Sequence, residues 1–177
     1  MAPVGSVPRG AALVFWLLAA FIVSCDQAAK LWIRSTLPLG ATLPVWPEWV
    51  RFTHTLNHGA AWGVLSGQRW LLIIVTIAVI GFILALARDI WARGLVSTAA
   101  LGIVLGGAIG NMIDRVGRGA VTDFIDLDTP LRFLQTFPVF NIADAALTVG
   151  VLLLIGQWLC EQWRAPSQNT ASRSREE

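Results

Sequence analysis

Five of the eleven acidic residues in this 177-residue chain, Asp114, Asp123, Asp126, Asp128 and Asp144, crowd into one short stretch of an otherwise apolar sequence. In Val121-Thr122-Asp123-Phe124-Ile125 the acid stands among apolar and β-branched neighbours with no adjacent base, so desolvation is expected to favour its protonated form. In Asn141-Ile142-Ala143-Asp144 the asparagine is placed to cap a helix whose third residue is the acid, and the positive end of the helix dipole favours that acid ionised. Standing alone, Asp144 reads as a cap. Brought together, two carboxyl groups with split pKa values are equipped for aspartyl hydrolysis: one takes a proton from water while the other donates to the scissile carbonyl. No serine, cysteine or lysine sits in a nucleophile-plus-base setting, and no metal-ligand cluster or cofactor motif competes.

The remaining acids suggest other roles. Asn111 and Asp114 are three apart and share a helix face, with Arg115 adjacent to hold the acid ionised, which reads as a structural anchor. Asp126 and Asp128 are expected in a solvated loop ended by Pro130. Asp26 and Lys30 have the spacing of a helical ion pair with the acid first.

These residues need a membrane scaffold to hold them. The chain is 55% hydrophobic and 14% charged, with a mean hydropathy of +0.65, well above the apolar share of a soluble domain. Apolar runs predict four transmembrane helices at about 11–33, 70–87, 94–113 and 140–160, with Asp26 and Lys30 at the interface. Between the first two, at about 34–69, Pro38, Pro44 and Pro47 break the chain and Val50 to Leu56 alternates with a two-residue period. The expected fold is an all-α membrane protein: four transmembrane helices and a small extracytoplasmic β-rich platform between helices 1 and 2, which carries His54 and His58. Residues 1–164 form one domain, and 165–177 are expected as a disordered cytoplasmic tail. An even number of spans puts both termini on one side, and Arg9, Arg88, Arg93, Arg164, Arg173 and Arg175 make that side cytoplasmic.

Trp32, Trp46, Trp49, Trp62 and Trp70 are expected at one interface and Trp91, Trp158 and Trp163 at the other, with Trp46 and Trp49 dipping toward lipid. Gly102, Gly106 and Gly110 leave one face of the third span bare for a close neighbour. Cys25 and Cys160 fall on opposite sides of the bilayer, which argues against a disulfide. The net charge of +2 is small and scattered, so no nucleic-acid partner is implied. Two rival readings remain open on the residues alone. Ile22-Val23-Ser24-Cys25 has the look of a lipoprotein cleavage box, though everything after it is equally apolar. Buried aspartates would also suit a small proton-coupled membrane transporter or channel, against which stand their clustering near one face and the lack of a repeat.

Five segments in order resemble one family, the lipoprotein signal peptidases or signal peptidase II, bacterial intramembrane aspartyl endopeptidases. They are Asp26-Gln27-Ala28-Ala29-Lys30, Asn57 to Gly63, Gly106 to Arg115, Val121 to Phe124 and Phe137 to Asp144. The resemblance implies removal of the signal peptide from diacylglyceryl-modified prolipoproteins, just before the lipidated cysteine, in the bacterial cytoplasmic membrane. It implies Asp123 and Asp144 as the catalytic dyad. Asp26, Asn57, Asn111, Asp114, Arg115 and Asn141 match the family's supporting polar shell, with Lys30 and Gly59 in the same segments. It also implies no cofactor or metal, contact with membrane lipids, and inhibition by globomycin-type cyclic peptides. His58, Thr122 and Ala145 stand where threonine, valine and serine are common in the family, which bears on pH response rather than on the dyad.

Overall fold

The computed structural model describes residues 9–59, 64–131, 134 and 136–173. In chain order these form helix α1 (Arg9–Thr36), strands β1 (Thr42–Trp46) and β2 (Val50–Asn57), helices α2 (Arg69–Trp91) and α3 (Leu95–Arg118), strand β3 (Val121–Asp126) and helix α4 (Ile142–Arg173). Among the described residues, four helical stretches are long and apolar enough to cross a bilayer: Gly10–Thr36, Arg69–Trp91, Leu95–Arg118 and Ile142–Trp163. The shortest has 22 residues, which at 1.5 Å per residue still exceeds a hydrocarbon layer of about 30 Å. α1, α2 and α3 run beyond the apolar limits read from the sequence; at the ends of α1 and α3 the charged Arg34 and Asp114 find partners and the helix continues through them. α4 likewise continues past Trp163 to Arg173. The segment from 165, expected to be disordered, thus begins as helix, since extending a formed helix costs far less than nucleating one.

α3 is the central element: 67% of its apolar window is buried, against 22%, 22% and 17% in the other three spans. Its glycines are what let neighbours come so close. A Cβ on Gly102 would stand 2.6 Å from the carbonyl oxygen of Phe15, and on Gly106 2.8 Å from that of Ala19, so α1 lies against bare backbone. Gly107 presents the same bareness to α4, 2.5 Å from the Ala143 carbonyl oxygen. Phe15, Ala19, Leu101, Leu105, Ile83 and Ala87 fill the core between α1, α2 and α3.

The sheet is antiparallel in the order β1-β2-β3. Two strands come from the platform segment between α1 and α2, as expected; the third, β3, comes from the connection between α3 and α4. β1 is an edge strand, the position that accommodates Pro44. Phe52 of β2 packs edge-on against both Trp32 of α1 and Phe124 of β3, at ring-centroid distances of 5.8 and 5.7 Å, which seats the sheet on the end of α1. Trp46 and Trp49 stand together at the β1–β2 turn, 65% and 43% exposed. Trp91, the last residue of α2, packs against Phe15 at 5.6 Å; Trp62 lies outside the described residues. Cys25 and Cys160 are both free.

Candidate active site

α3 ends at Arg118 because Gly119 takes the left-handed conformation (φ 86°) and donates its N–H back to the Arg115 carbonyl. The chain then turns directly into β3, whose third residue is Asp123. β2 lies alongside, pairing Thr55 with Asp123 and Asn57 with Val121. The segment entering α4 is stitched to the other side of β3: Phe140 donates to the Ile125 carbonyl at 3.0 Å, and Phe124 and Ile125 both donate to the Phe140 carbonyl. That bridge delivers Asn141 and Asp144, remote in sequence, to Asp123.

Asn141 caps α4 as its position suggests. Its Oδ1 accepts the Asp144 N–H at 2.9 Å, and Asp144 Oδ2 accepts the Asn141 N–H at 3.2 Å, a reciprocal capping box. The same side chain also reaches the second acid: Nδ2 donates to Asp123 Oδ1 at 2.6 Å. Asn57 Nδ2 donates to Asp123 Oδ2 at 3.0 Å, while its Oδ1 accepts the Gly59 N–H at 2.9 Å. Asn111 Nδ2 donates to Asp144 Oδ1 at 2.7 Å. Each carboxyl group therefore receives N–H donors on both oxygens. Asp123 is 1% exposed, and burial, followed by the neighbouring Asp144 carboxylate, pushes its carboxyl up to about 7 against the pull of Asn57 and Asn141. A cavity of about 310 Å³ opens onto Asp123, walled by Thr55, Asn57, His58, Ser66 and the Pro138-Val139 turn.

Asp26 and Lys30 are both fully buried within the protein and paired at 2.8 Å. Lys30 also lies 3.3 Å from Asp114 and donates to Asn111 Oδ1 at 3.0 Å. Asp26 Oδ1 accepts the Ala143 N–H at 3.0 Å, so α1 supplies a cap to the first turn of α4. Mutual pairing is what makes burial tolerable for such charges.

The structure refines two expectations about neighbours. Asp114 accepts the Thr122 N–H at 3.0 Å and lies near Lys30 and Arg34, with Arg118 at 4.0 Å, while the adjacent Arg115 reaches it only as a nearby charge. Arg115 projects elsewhere, donating to the Gly59 carbonyl at 3.3 Å, because consecutive helical residues point some 100° apart. Asp126 is not in a solvated loop: it ends β3 and accepts from Arg51 Nε and Thr53 Oγ1, both at 2.7 Å, whereas Asp128 does lie in the loop beyond the strand, 54% exposed and 3.2 Å from Arg51. The Asp126 hydrogen bond raises the Arg51 guanidinium above its ordinary value.

Three contributors were not singled out from the sequence. Arg34 donates to Thr122 Oγ1 at 3.1 Å; Gln27 donates to the Gly110 carbonyl at 3.0 Å; Arg69 donates to the carbonyls of Arg115 and Val116, both at 2.8 Å, closing the end of α3. Arg34 had a readable signal, since Asp26, Lys30 and Arg34 repeat every four residues on one helix face. Arg69 had none, because its acceptors are backbone oxygens. Among the described residues, no group of three or more His, Cys, Asp or Glu is placed to hold a metal ion.

Comparison with known proteins adds to this geometry. The family model described as Signal peptidase (SPase) II matches residues 18–160. A lipoprotein signal peptidase of Geobacillus thermodenitrificans (strain NG80-2) is 43% identical over 145 residues, covering 81% of this chain and 88% of that protein. Two solved structures of a bacterial membrane enzyme, obtained by the in meso method at 2.3 and 1.9 Å resolution, superpose with TM-scores of 0.76 and 0.71 at 38% identity. They cover 82% and 81% of this chain, and 87% and 90% of their own.

Proposed function

Because the chain belongs to the signal peptidase II family, a family of peptidases, we propose that it is an intramembrane aspartyl endopeptidase. On this reading it cuts diacylglyceryl-modified prolipoproteins just before the lipidated cysteine, with Asp123 and Asp144 as the catalytic pair. The observation that carries the reading is Asn141, one side chain hydrogen-bonded to Asp123 and, through its cap, to Asp144. The two acids belong to one hydrogen-bonded unit and share a proton.

The substrate's signal helix lies among the membrane helices with its lipid tails in the bilayer. The scissile carbonyl reaches the cavity beside Asp123, and the sheet closes over the cysteine. The ionised acid takes a proton from water, the water oxygen attacks the carbonyl carbon, and the protonated acid donates to the carbonyl oxygen. Collapse of the tetrahedral intermediate breaks the C–N bond: the departing amine of the lipidated cysteine takes the proton the first acid drew from water, and the second acid recovers its own from a hydroxyl of the intermediate. The amide donors of Asn57, Asn111 and Asn141 keep both carboxyl groups oriented throughout. The enzyme works in the bacterial cytoplasmic membrane with both termini inside. Globomycin-type cyclic peptides inhibit it by occupying the same cavity.

Replacing Asp123 or Asp144 with Asn, in protein checked for folding, is expected to abolish cleavage of a diacylated prolipoprotein in membranes or nanodiscs. Normal turnover by either variant would defeat the assignment of the pair.

A further inference from the structure

Lys30 is a cation with no exposure to solvent. Two of its contacts, to Asp26 and Asp114, balance its charge. The third is different in kind. An asparagine side chain has a carbonyl face and an amide face that exchange by a half-turn about its last bond. An ammonium group has three donors and no acceptor, so it tolerates only the carbonyl face. With Asn111 Oδ1 turned to Lys30 at 3.0 Å, Nδ2 is turned to Asp144 Oδ1, at 2.7 Å.

Asn141 does not set this orientation alone. Its Nδ2 has two hydrogens but faces three acceptors: Asp123 Oδ1 at 2.6 Å, Asn111 Oδ1 at 3.1 Å and the Thr122 carbonyl at 3.4 Å. Asp123 takes one hydrogen, and the other is divided. A reversed Asn111 would set its own carbonyl against the Asp144 carboxyl oxygen, acceptor facing acceptor.

We infer that Lys30 is a positioning residue: by accepting only the carbonyl face of Asn111 it keeps the amide N–H on Asp144 and so holds that acid in its working orientation. The inference rests on the reading of Asp123 and Asp144 as the catalytic pair.

The test compares kcat and KM of the full chain on a diacylated prolipoprotein for Lys30→Gln and Lys30→Met, alone and combined with Asn111→Ala, with thermal unfolding recorded for each. Lys30→Gln keeps a donor for Asp26 but offers a carbonyl that can take the Asn111 N–H, so it permits the reversal. Its kcat is expected to fall about 10- to 100-fold, the scale of a displaced catalytic group. KM should stay within about twofold, the mark of an interaction used in the chemical step. In the Asn111→Ala background the same change should alter kcat by no more than about twofold. A folded Lys30→Gln protein with unaltered kcat, or one whose loss persists in full without the Asn111 amide, overturns the inference. Should neither Lys30 variant fold, the Asn111 side-chain amide signals of the ¹⁵N-labelled unaltered chain serve instead. They are assigned by their loss in Asn111→Ala and are expected to shift on Asp144→Asn; signals indifferent to that change overturn it. An unaltered chain that cuts no prolipoprotein defeats the underlying reading, and the inference with it, whereas cleavage with an unaffected Lys30→Gln defeats the inference alone.

Discussion

Asn57 holds one oxygen of Asp123 through its amide, and its orientation is fixed because its carbonyl is engaged by the Gly59 N–H. That donor favours the ionised carboxylate, so it works against burial. The proposed mechanism needs one proton on the pair, and turnover should therefore fall as pH rises through the pair's upper apparent pKa, with Asp123 lifted to about 7. Asn57→Ala removes the pull toward ionisation, and the alkaline limb of a kcat/KM profile is expected to move to higher pH. A limb that stays in place or moves down would show that Asn57 is not coupled to the titrating pair. The same raised value has a consequence for the fold. Between 3.8, the ordinary value of the acid, and about 7, the folded state binds the extra proton. Asp123 therefore costs no stability below 3.8, and its penalty grows with pH until about 7. Asp123→Asn should flatten that part of a stability profile measured by thermal unfolding. The burial of Asp123 among Val121, Phe124 and Ile125 was legible in its neighbours; Asn57 and Asn141 were legible only as parts of motifs, and their bonds to Asp123 were not, because they arrive from two other elements.

At the scale of elements, α3 is both the packing centre of the bundle and the carrier of Asn111 and Asp114. Gly107 faces α4 at Ala143, the residue before Asp144, with no room for a methyl group. Gly107→Ala should therefore push the first turn of α4 away. Overpacking of this kind costs about 1–3 kcal/mol, and activity should fall with stability because Asp144 moves with the turn. Gly81, in the middle of α2, has nothing within 4 Å of its missing Cβ. Gly81→Ala should leave activity unchanged and stabilise the helix by up to about 1 kcal/mol. Paired thermal melts and cleavage assays check both, and equal effects at the two positions would contradict the packing argument. The glycine spacing in α3 was readable as a bare face, but Gly107, outside that four-residue series, turned out to contact the element that matters most. β3 was missed as a strand although its residues are β-branched and apolar, because what holds it is pairing with β2 and Phe140 rather than any local pattern.

Across the whole molecule, the four helices place the sheet and the acidic pair at one end, where α1 ends, α2 begins, α3 ends and α4 begins. The proposed orientation puts that end outside the cell. Fluorescent-protein fusions at either terminus should both fold and fluoresce in the cytoplasm. In a cysteine-free background, Val45→Cys, on the exposed face of β1, should be labelled by a membrane-impermeant maleimide from outside. Labelling only after the membrane is permeabilised would invert the topology and place the cavity on the wrong side for exported substrates.

Amino-acid order alone determined the four spans, the platform, the α4 cap and the stretches that resemble the family, because each depends on hydropathy or on spacing within a few residues. Only the tertiary structure decided which groups touch: that Lys30 is buried with Asp26 and Asp114, that Arg115 turns from Asp114 to Gly59, and that Asn141 joins two acids. Contacts of this kind join residues as many as 117 positions apart, as between Asp26 and Ala143. They exist because charged and amide groups taken out of water must find one another wherever the packed helices bring them, and no local pattern records that meeting.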